Sequence, residues 1–146
     1  MRGLCLGRLR RVDEAAVDYQ AALPHNPDNL SAHKSLANFA FDREDNTTTI
    51  NHYLEVLRLD PLDVSSWYRL ASIYSDQEDF AAAVEAYSKA IEIDATKAPL
   101  FFLRAIALEE LNDCSRALAD YDSGLRLNPN DTAALESRAE LVPRLG

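Results

Sequence analysis

Glycine is scarce in this chain, with four residues among 146: Gly3, Gly7, Gly124 and Gly146. A loop that cradles phosphates needs clustered glycines, and a serine nucleophile elbow needs one on each side of the serine. Neither arrangement occurs. Cysteine is scarcer still, limited to Cys5 and Cys114. The three histidines, His25, His33 and His52, stand at no metal-ligand spacing with them or with one another. The acid-rich segments Asp60-Pro-Leu-Asp63 and Asn128-Pro-Asn-Asp131 lack the alternating oxygen ligands and central glycine of a calcium loop. They read instead as helix caps, a role that Asn46 and Asp79 also suit. No apolar run approaches the ~20 residues of a membrane span. The stretch Met1 to Leu9 is broken by arginines and too short for a signal-peptide core. Positive charge is in the minority, with 15 Lys and Arg against 24 Asp and Glu for a net charge of −9. Such a chain repels nucleic-acid phosphates and anionic membranes. No cofactor, metal or catalytic constellation is expected, and the chain reads as a non-enzyme.

What is present is a ruler. Tyr19, Tyr53, Tyr87 and Tyr121 stand 34 residues apart with no insertion or deletion. A fixed period of this length marks a stack of similar structural units. Other positions keep the phase. Four residues before each tyrosine lies Ala15, Thr49, Ala83 or Ala117, and three after it lies Ala22, Val56, Ala90 or Gly124. Sixteen before it lies Gly3, Ala37, Ala71 or Ala105, and eight after it Pro27, Pro61, Ala95 or Pro129. The small residues allow close helix approach, and the prolines end helices.

Each unit reads as two helices. In the third, Trp67, Leu70, Ala71 and Tyr74 form one helical face; Phe80, Ala83, Val84, Tyr87, Ala90 and Ile91 form the next, after a break at Glu78-Asp79. A terminal helix from Thr132 to Val142 is expected to cover the end of the stack with Leu135, Ala139 and Val142, leaving Glu136, Arg138 and Glu140 to water. Packed helices lie ~8–10 Å apart, so cysteines three units apart are far beyond disulfide reach. A reducing, cytoplasmic compartment is the simplest expectation.

Comparison at equal phase exposes a correlated swap. Arg2 and Arg104 stand where units two and three have Leu36 and Leu70. Sixteen residues later the same two units carry Asp18 and Asp120, where the others have His52 and Ala86. The swap predicts an arginine–aspartate pair within each of those two hairpins.

The pattern Trp67-x-x-Leu70-Ala71-x-x-Tyr74, followed by Ala83-x-x-x-Tyr87-x-x-Ala90, resembles the tetratricopeptide repeat family along essentially the whole chain. The resemblance implies an all-α, right-handed α-solenoid of antiparallel helix pairs: about three and a half repeats plus a C-terminal capping helix, in one domain over residues 1–146. The units are a truncated 1–29, then 30–63, 64–97 and 98–131, with the capping helix at 132–142. At Met1 the chain enters about halfway into the first helix of unit one, as a fragment of a longer array would.

The resemblance also implies an inner groove, lined by the first helix of each unit, that takes a peptide from a partner. The face next to each core stripe comprises Ser31, Lys34, Asn38 and Phe41; Ser65, Tyr68, Ser72 and Ser75; and Pro99, Phe102, Ile106 and Glu109. Leu4 remains from unit one, and the terminal helix offers Ala133, Glu136 and Glu140. Phe41, Tyr68, Phe102 and Ile106 are large apolar groups expected to face this groove. Asp42, Asp76, Glu109, Glu110, Glu136 and Glu140 make its edge acidic, which suits a peptide with apolar anchors and a basic flank. Some family members clamp the terminal carboxylate of chaperone tails. Lys34 and Asn38 match two places of that clamp, whereas Arg69, Pro99 and Leu103 break the other three.

The expected function is therefore a non-catalytic protein-interaction scaffold whose groove residues include Lys34, Asn38, Phe41, Tyr68, Arg69, Ser72, Phe102, Ile106 and Glu109. Two alternatives stand beside it. The Val12–Val17–Tyr19 region leaves an apolar end for homo-oligomerisation through the truncated N-terminal end. The array could otherwise be the targeting arm of a larger enzyme.

Overall fold

The break between the helices of a hairpin is built by two neighbouring residues. Glu44, Glu78 and Asn112 adopt left-handed backbone with φ of 59°, 61° and 59°. Each is followed by an aspartate, Asp45, Asp79 or Asp113, whose carboxylate accepts the backbone N–H of Thr48, Ala82 or Arg116 at 3.2 Å. A left-handed residue stops one helix, and a capping carboxylate starts the next. Asp45, not Asn46, is the cap of its helix; it shares the phase of Asp79 and Asp113. Asn29 and Asp131 cap two further helices by accepting from Ala32 and Ala134.

In the computed structural model, residues 2–145 are described, with side chains for Arg8 and from Arg10 onward. Eight helices and no strand are found among them, and the chain divides into two compact units, Met1–Asp63 and Val64–Gly146. The first holds α1 (Arg2–Ala22), α2 (Leu30–Asp42) and α3 (Asn46–Leu59). The second holds α4 (Val64–Asp76), α5 (Phe80–Ile93), α6 (Ala98–Glu110), α7 (Cys114–Leu127) and α8 (Thr132–Leu145). Helices α2 and α3, α4 and α5, and α6 and α7 pack as hairpins.

The ruler residues fill the hairpin cores. Tyr53, Tyr87 and Tyr121 are at most 3% exposed. Ala37, Ala71 and Ala105 on the first helices, and Thr49, Ala83 and Ala117 on the second, are fully buried, which lets the two backbones approach. Thr49 tolerates this because its hydroxyl donates to the Asp45 carbonyl at 2.7 Å.

Two expectations change. Where the other units break, α1 runs on as one helix of 21 residues. Arg10 and Arg11 hold the phases of the left-handed residue and the capping aspartate, and Arg11 has no side-chain acceptor for free amides. Helix α8 is also turned differently from the sequence reading. It buries Ala134 and Leu141 and leaves Leu135, Ala139 and Val142 exposed. Both stripes are apolar, and α8 packs the one that faces α7, its neighbour.

The predicted Arg104–Asp120 pair forms. Arg104 Nε donates to Asp120 Oδ2 and Nη2 to Oδ1, both at 2.7 Å, and Nη1 donates to Ser88 Oγ at 2.9 Å. The side chains are 19% and 7% exposed. The Arg2–Asp18 pair lies outside what is described, because side chains before Arg8 are not included; the same holds for the surroundings of Gly3, Leu4 and Cys5. Cys114 is a free thiol.

Unit two of the sequence has a histidine pair in place of an ion pair. His33 is buried, and its Nε2–H donates to the Pro27 carbonyl at 2.8 Å. Its Nδ1 is then the acceptor for the Nδ1–H of His52 at 3.0 Å. Burial, then the neighbouring His33, hold the His52 pKa below its ordinary value, against a weaker opposing pull from Glu55. A histidine that is harder to protonate folded than unfolded adds stability above the unfolded pKa and loses it below. The unfolding free energy is therefore expected to fall as pH drops from about 7.5 towards about 5.5. His52→Gln, which keeps a donor but cannot titrate, should flatten that slope in urea melts.

Candidate functional site

The candidate groove residues are positioned by the hairpin cores behind them. Lys34, Tyr68 and Phe102 share one phase; Asn38, Ser72 and Ile106 share a second; Phe41, Ser75 and Glu109 share a third. In the first compact unit, Met1–Asp63, Lys34 Nζ lies 3.3 Å from Asp63 Oδ1, Asn38 is exposed and Phe41 is half-buried. In the second, Tyr68 is 37% and Ile106 49% exposed, while Arg69, Ser72, Phe102 and Glu109 are half-buried.

Tyrosine hydroxyls supply a link that the sequence reading missed. Tyr53 donates to Asn38 Oδ1 and Tyr121 to Glu109 Oε1, each at 2.6 Å, and Tyr87 is hydrogen-bonded with Ser72 and Ser75. The ruler residues thus cross from the second helix to hold polar groups of the candidate face. Burial, then the Glu109 hydrogen bond, push the Tyr121 pKa well up, so its hydroxyl stays a donor at any physiological pH. Glu109 also receives Arg144 Nη1 at 3.4 Å, so its carboxylate is partly neutralised. The signal was available in the shared phase of Asn38 and Ser72, fifteen residues before their tyrosines.

The apolar candidates stack on the same scaffold. The Tyr68 ring lies 6.5 Å from that of Tyr87, and the Phe102 ring 6.4 Å from that of Tyr121. Phe102 lies over Gly124, where a Cβ would collide with Cε1 and sit 2.7 Å from Cδ1. That close approach is why the position holds glycine while its equivalents hold Val56 and Ala90. Gly124→Ala should gain ~1 kcal/mol of helix propensity and lose ~1–3 kcal/mol by displacing the ring. The expected result is a small net change in stability with loss of Phe102–Tyr121 ring contacts, read by nuclear Overhauser effects.

Open hollows among the described residues include two of larger volume. One of 340 Å³ lies in the first unit between α1 and α2, with Val12, Ala15, Tyr19, Asn38 and Phe39 in its lining. One of 480 Å³ in the second unit is lined by Trp67, Val84, Ser88 and the charged Glu85, Lys89 and Arg116. It contains none of the candidate groove residues. No group of His, Cys, Asp and Glu able to hold a metal occurs among the described residues, and no helix among them is long and apolar enough to cross a membrane.

A run of helical hairpins in constant phase, with small residues at the helix contacts and an aromatic ruler, defines a helical-repeat protein. Tetratricopeptide repeat profiles match residues 64–97 and 102–146. The chain belongs to the tetratricopeptide repeat family. No curated protein matches the sequence. Among solved structures, MamA is similar with a TM-score of 0.82 and 19% identity, over 92% of this chain and 79% of that one. YrrB, described as a TPR protein with an unusual peptide-binding site, gives 0.83 and 16%, over 96% and 72%. The first TPR of Spaghetti (RPAP3), solved with the HSP90 peptide SRMEEVD, gives 0.71 and 22%, over 80% and 92%. At these identities the likeness is one of fold.

Proposed function

We propose that this chain is a non-catalytic protein-interaction module that takes a peptide segment of a partner protein on its first-helix face. The observation that carries the reading is the exposure of Tyr68 and Ile106, large apolar groups on α4 and α6 with no place in the hairpin cores. Such groups in register on a rigid helical scaffold serve as anchors for an extended or helical segment. Peptide binding by YrrB and by the Spaghetti TPR supports the same use of this fold. Lys34, Asn38 and Phe41 would serve the face in the first unit; Tyr68, Arg69, Ser72, Phe102, Ile106 and Glu109 would serve it in the second.

The partner segment should combine apolar anchors with a basic flank. Asp42, Asp76, Glu110, Glu136 and Glu140 are exposed on first helices and on α8, and the chain as a whole is acidic. An acidic chaperone tail suits it poorly, because Pro99 and Leu103 put no cation where a carboxylate clamp needs one. The free Cys114 thiol supports a reducing, cytoplasmic setting.

The test is affinity capture from a native lysate, followed by anisotropy titrations with synthetic peptides from the captured proteins. Peptides with apolar anchors and Lys or Arg flanks should bind, and more weakly as salt rises. Capture of acidic segments alone would overturn the partner chemistry. Failure of every peptide would overturn the groove.

A further inference from the structure

The 34-residue phase identifies two bare helix faces. In α3, α5 and α7 the second-helix positions Thr49, Ala83 and Ala117 are fully buried, as are Ala86 and Asp120 nearly so. In α1 the same phases hold Ala15 and Asp18, both exposed, with Val12 48% exposed and Tyr19 only half-buried. Helix α8 shows the converse. Ala105 and Leu108 of α6 are buried against their hairpin, whereas the equivalent Ala139 is exposed and Val142 is 47% exposed, beside Leu135 at 45%. Thus α1 presents the face of a second helix, and α8 the face of a first helix. Among the described residues nothing covers either.

We propose that α8 of one copy docks on α1 of another, completing a helical hairpin from two chains. Charge selects this pairing. Arg138 holds the phase of Arg104, and Asp18 that of Asp120, so the docked helices would set opposite charges against each other between chains at the places that Arg104 and Asp120 occupy within one. Arg138 shares the backward reach of its counterpart but not the donor. It reaches sixteen residues back to Asp122 through Nε, whereas Arg104 reaches back to Ser88 through Nη1 and gives Nε to Asp120. The Arg138 side chain is 40% exposed, and Nη donors remain for a second carboxylate.

The phenol has a partner too. Tyr53 donates to Asn38, fifteen residues before it, and the α8 residue at the phase of Asn38 is the exposed Glu140. Tyr19 of the incoming copy would donate there. The 340 Å³ hollow between α1 and α2, flanked by Val12, Ala15 and Tyr19, is a ready seat for α8. Pairing α1 with α1, or α8 with α8, would instead oppose Asp18 to Asp18 or Arg138 to Arg138. The contact is heterologous, so each added copy leaves a free face at both ends and growth continues past the dimer.

Sedimentation velocity on the 146-residue chain tests this, from about 10 μM to about 1 mM because a two-helix contact falls at the small end of specific interfaces. The average mass should rise with concentration from 16.3 kDa to beyond twice that value. Asp18→Arg and Arg138→Asp should each stay monomeric alone, and their equimolar mixture should assemble again, since it restores opposite charges at every contact. Ala15→Arg and Ala139→Glu change exposed positions and should block assembly without loss of helical circular dichroism. They also decide the matter if Arg138→Asp, facing Asp122, fails to fold. A wild-type chain that stays at 16.3 kDa throughout overturns the proposal. So does undiminished assembly of the blocked variants, or a mixture of folded charge-reversed chains that remains monomeric.

Discussion

Replacing Asp120 with alanine is expected to lower the unfolding free energy by about 3–5 kcal/mol. The carboxylate takes both arms of the Arg104 fork at 2.7 Å and is 7% exposed. Its removal leaves a guanidinium, itself 19% exposed, with Ser88 as its remaining partner. A chain of this size loses roughly 2–4 °C in Tm per kcal/mol, so a shift on the order of 10 °C should be plain in a thermal melt. The double substitution Arg104→Leu with Asp120→Ala rebuilds the Leu70 and Ala86 arrangement of the preceding hairpin, and should recover most of the loss. An Asp120→Ala melt that superposes on the parent would show that the pair contributes nothing to stability.

The second large effect concerns binding. Tyr68→Ala together with Phe102→Ala should weaken capture of the partner peptide by more than about 100-fold, because anchor side chains each contribute about 2 kcal/mol or more. The two positions differ in what else they do. Phe102 is half-buried and stacked on Tyr121, so its loss also loosens the α6–α7 hairpin. Tyr68 is the more exposed, and Tyr68→Ala alone should separate binding from folding. Anisotropy titrations read the affinity, and far-ultraviolet circular dichroism should be unchanged for Tyr68→Ala. Undiminished binding by the double variant would remove the first-helix face as the site.

The positions of the tyrosines, of the small residues and of the Asp79 cap were legible because identical phases in a repeat meet identical surroundings. The same reasoning reaches the Arg104–Asp120 pair, whose two residues change together. At the start of α3 the phase of Asp79 falls on Asp45, one residue before Asn46, and Asp45 is the cap. The unbroken α1 was legible too: Arg10 and Arg11 remove the stop and start signals that Glu78 and Asp79 provide. The candidate face was only half legible. Spacing separates Tyr68 from Trp67, but it says nothing of how deeply Phe102 settles over Gly124.

By itself, the sequence determined the helical hairpins, their phase and their internal pairings, since these depend on local backbone preferences and on contacts at constant separation along the chain. Only the tertiary structure decided which apolar stripe of α8 is covered. It also assigned Asn38 and Glu109 to tyrosine hydroxyls and left the faces of α1 and α8 bare. The physical reason is that burial is set by which neighbour is present in space, and a helix with two apolar stripes does not record which one its neighbour will take.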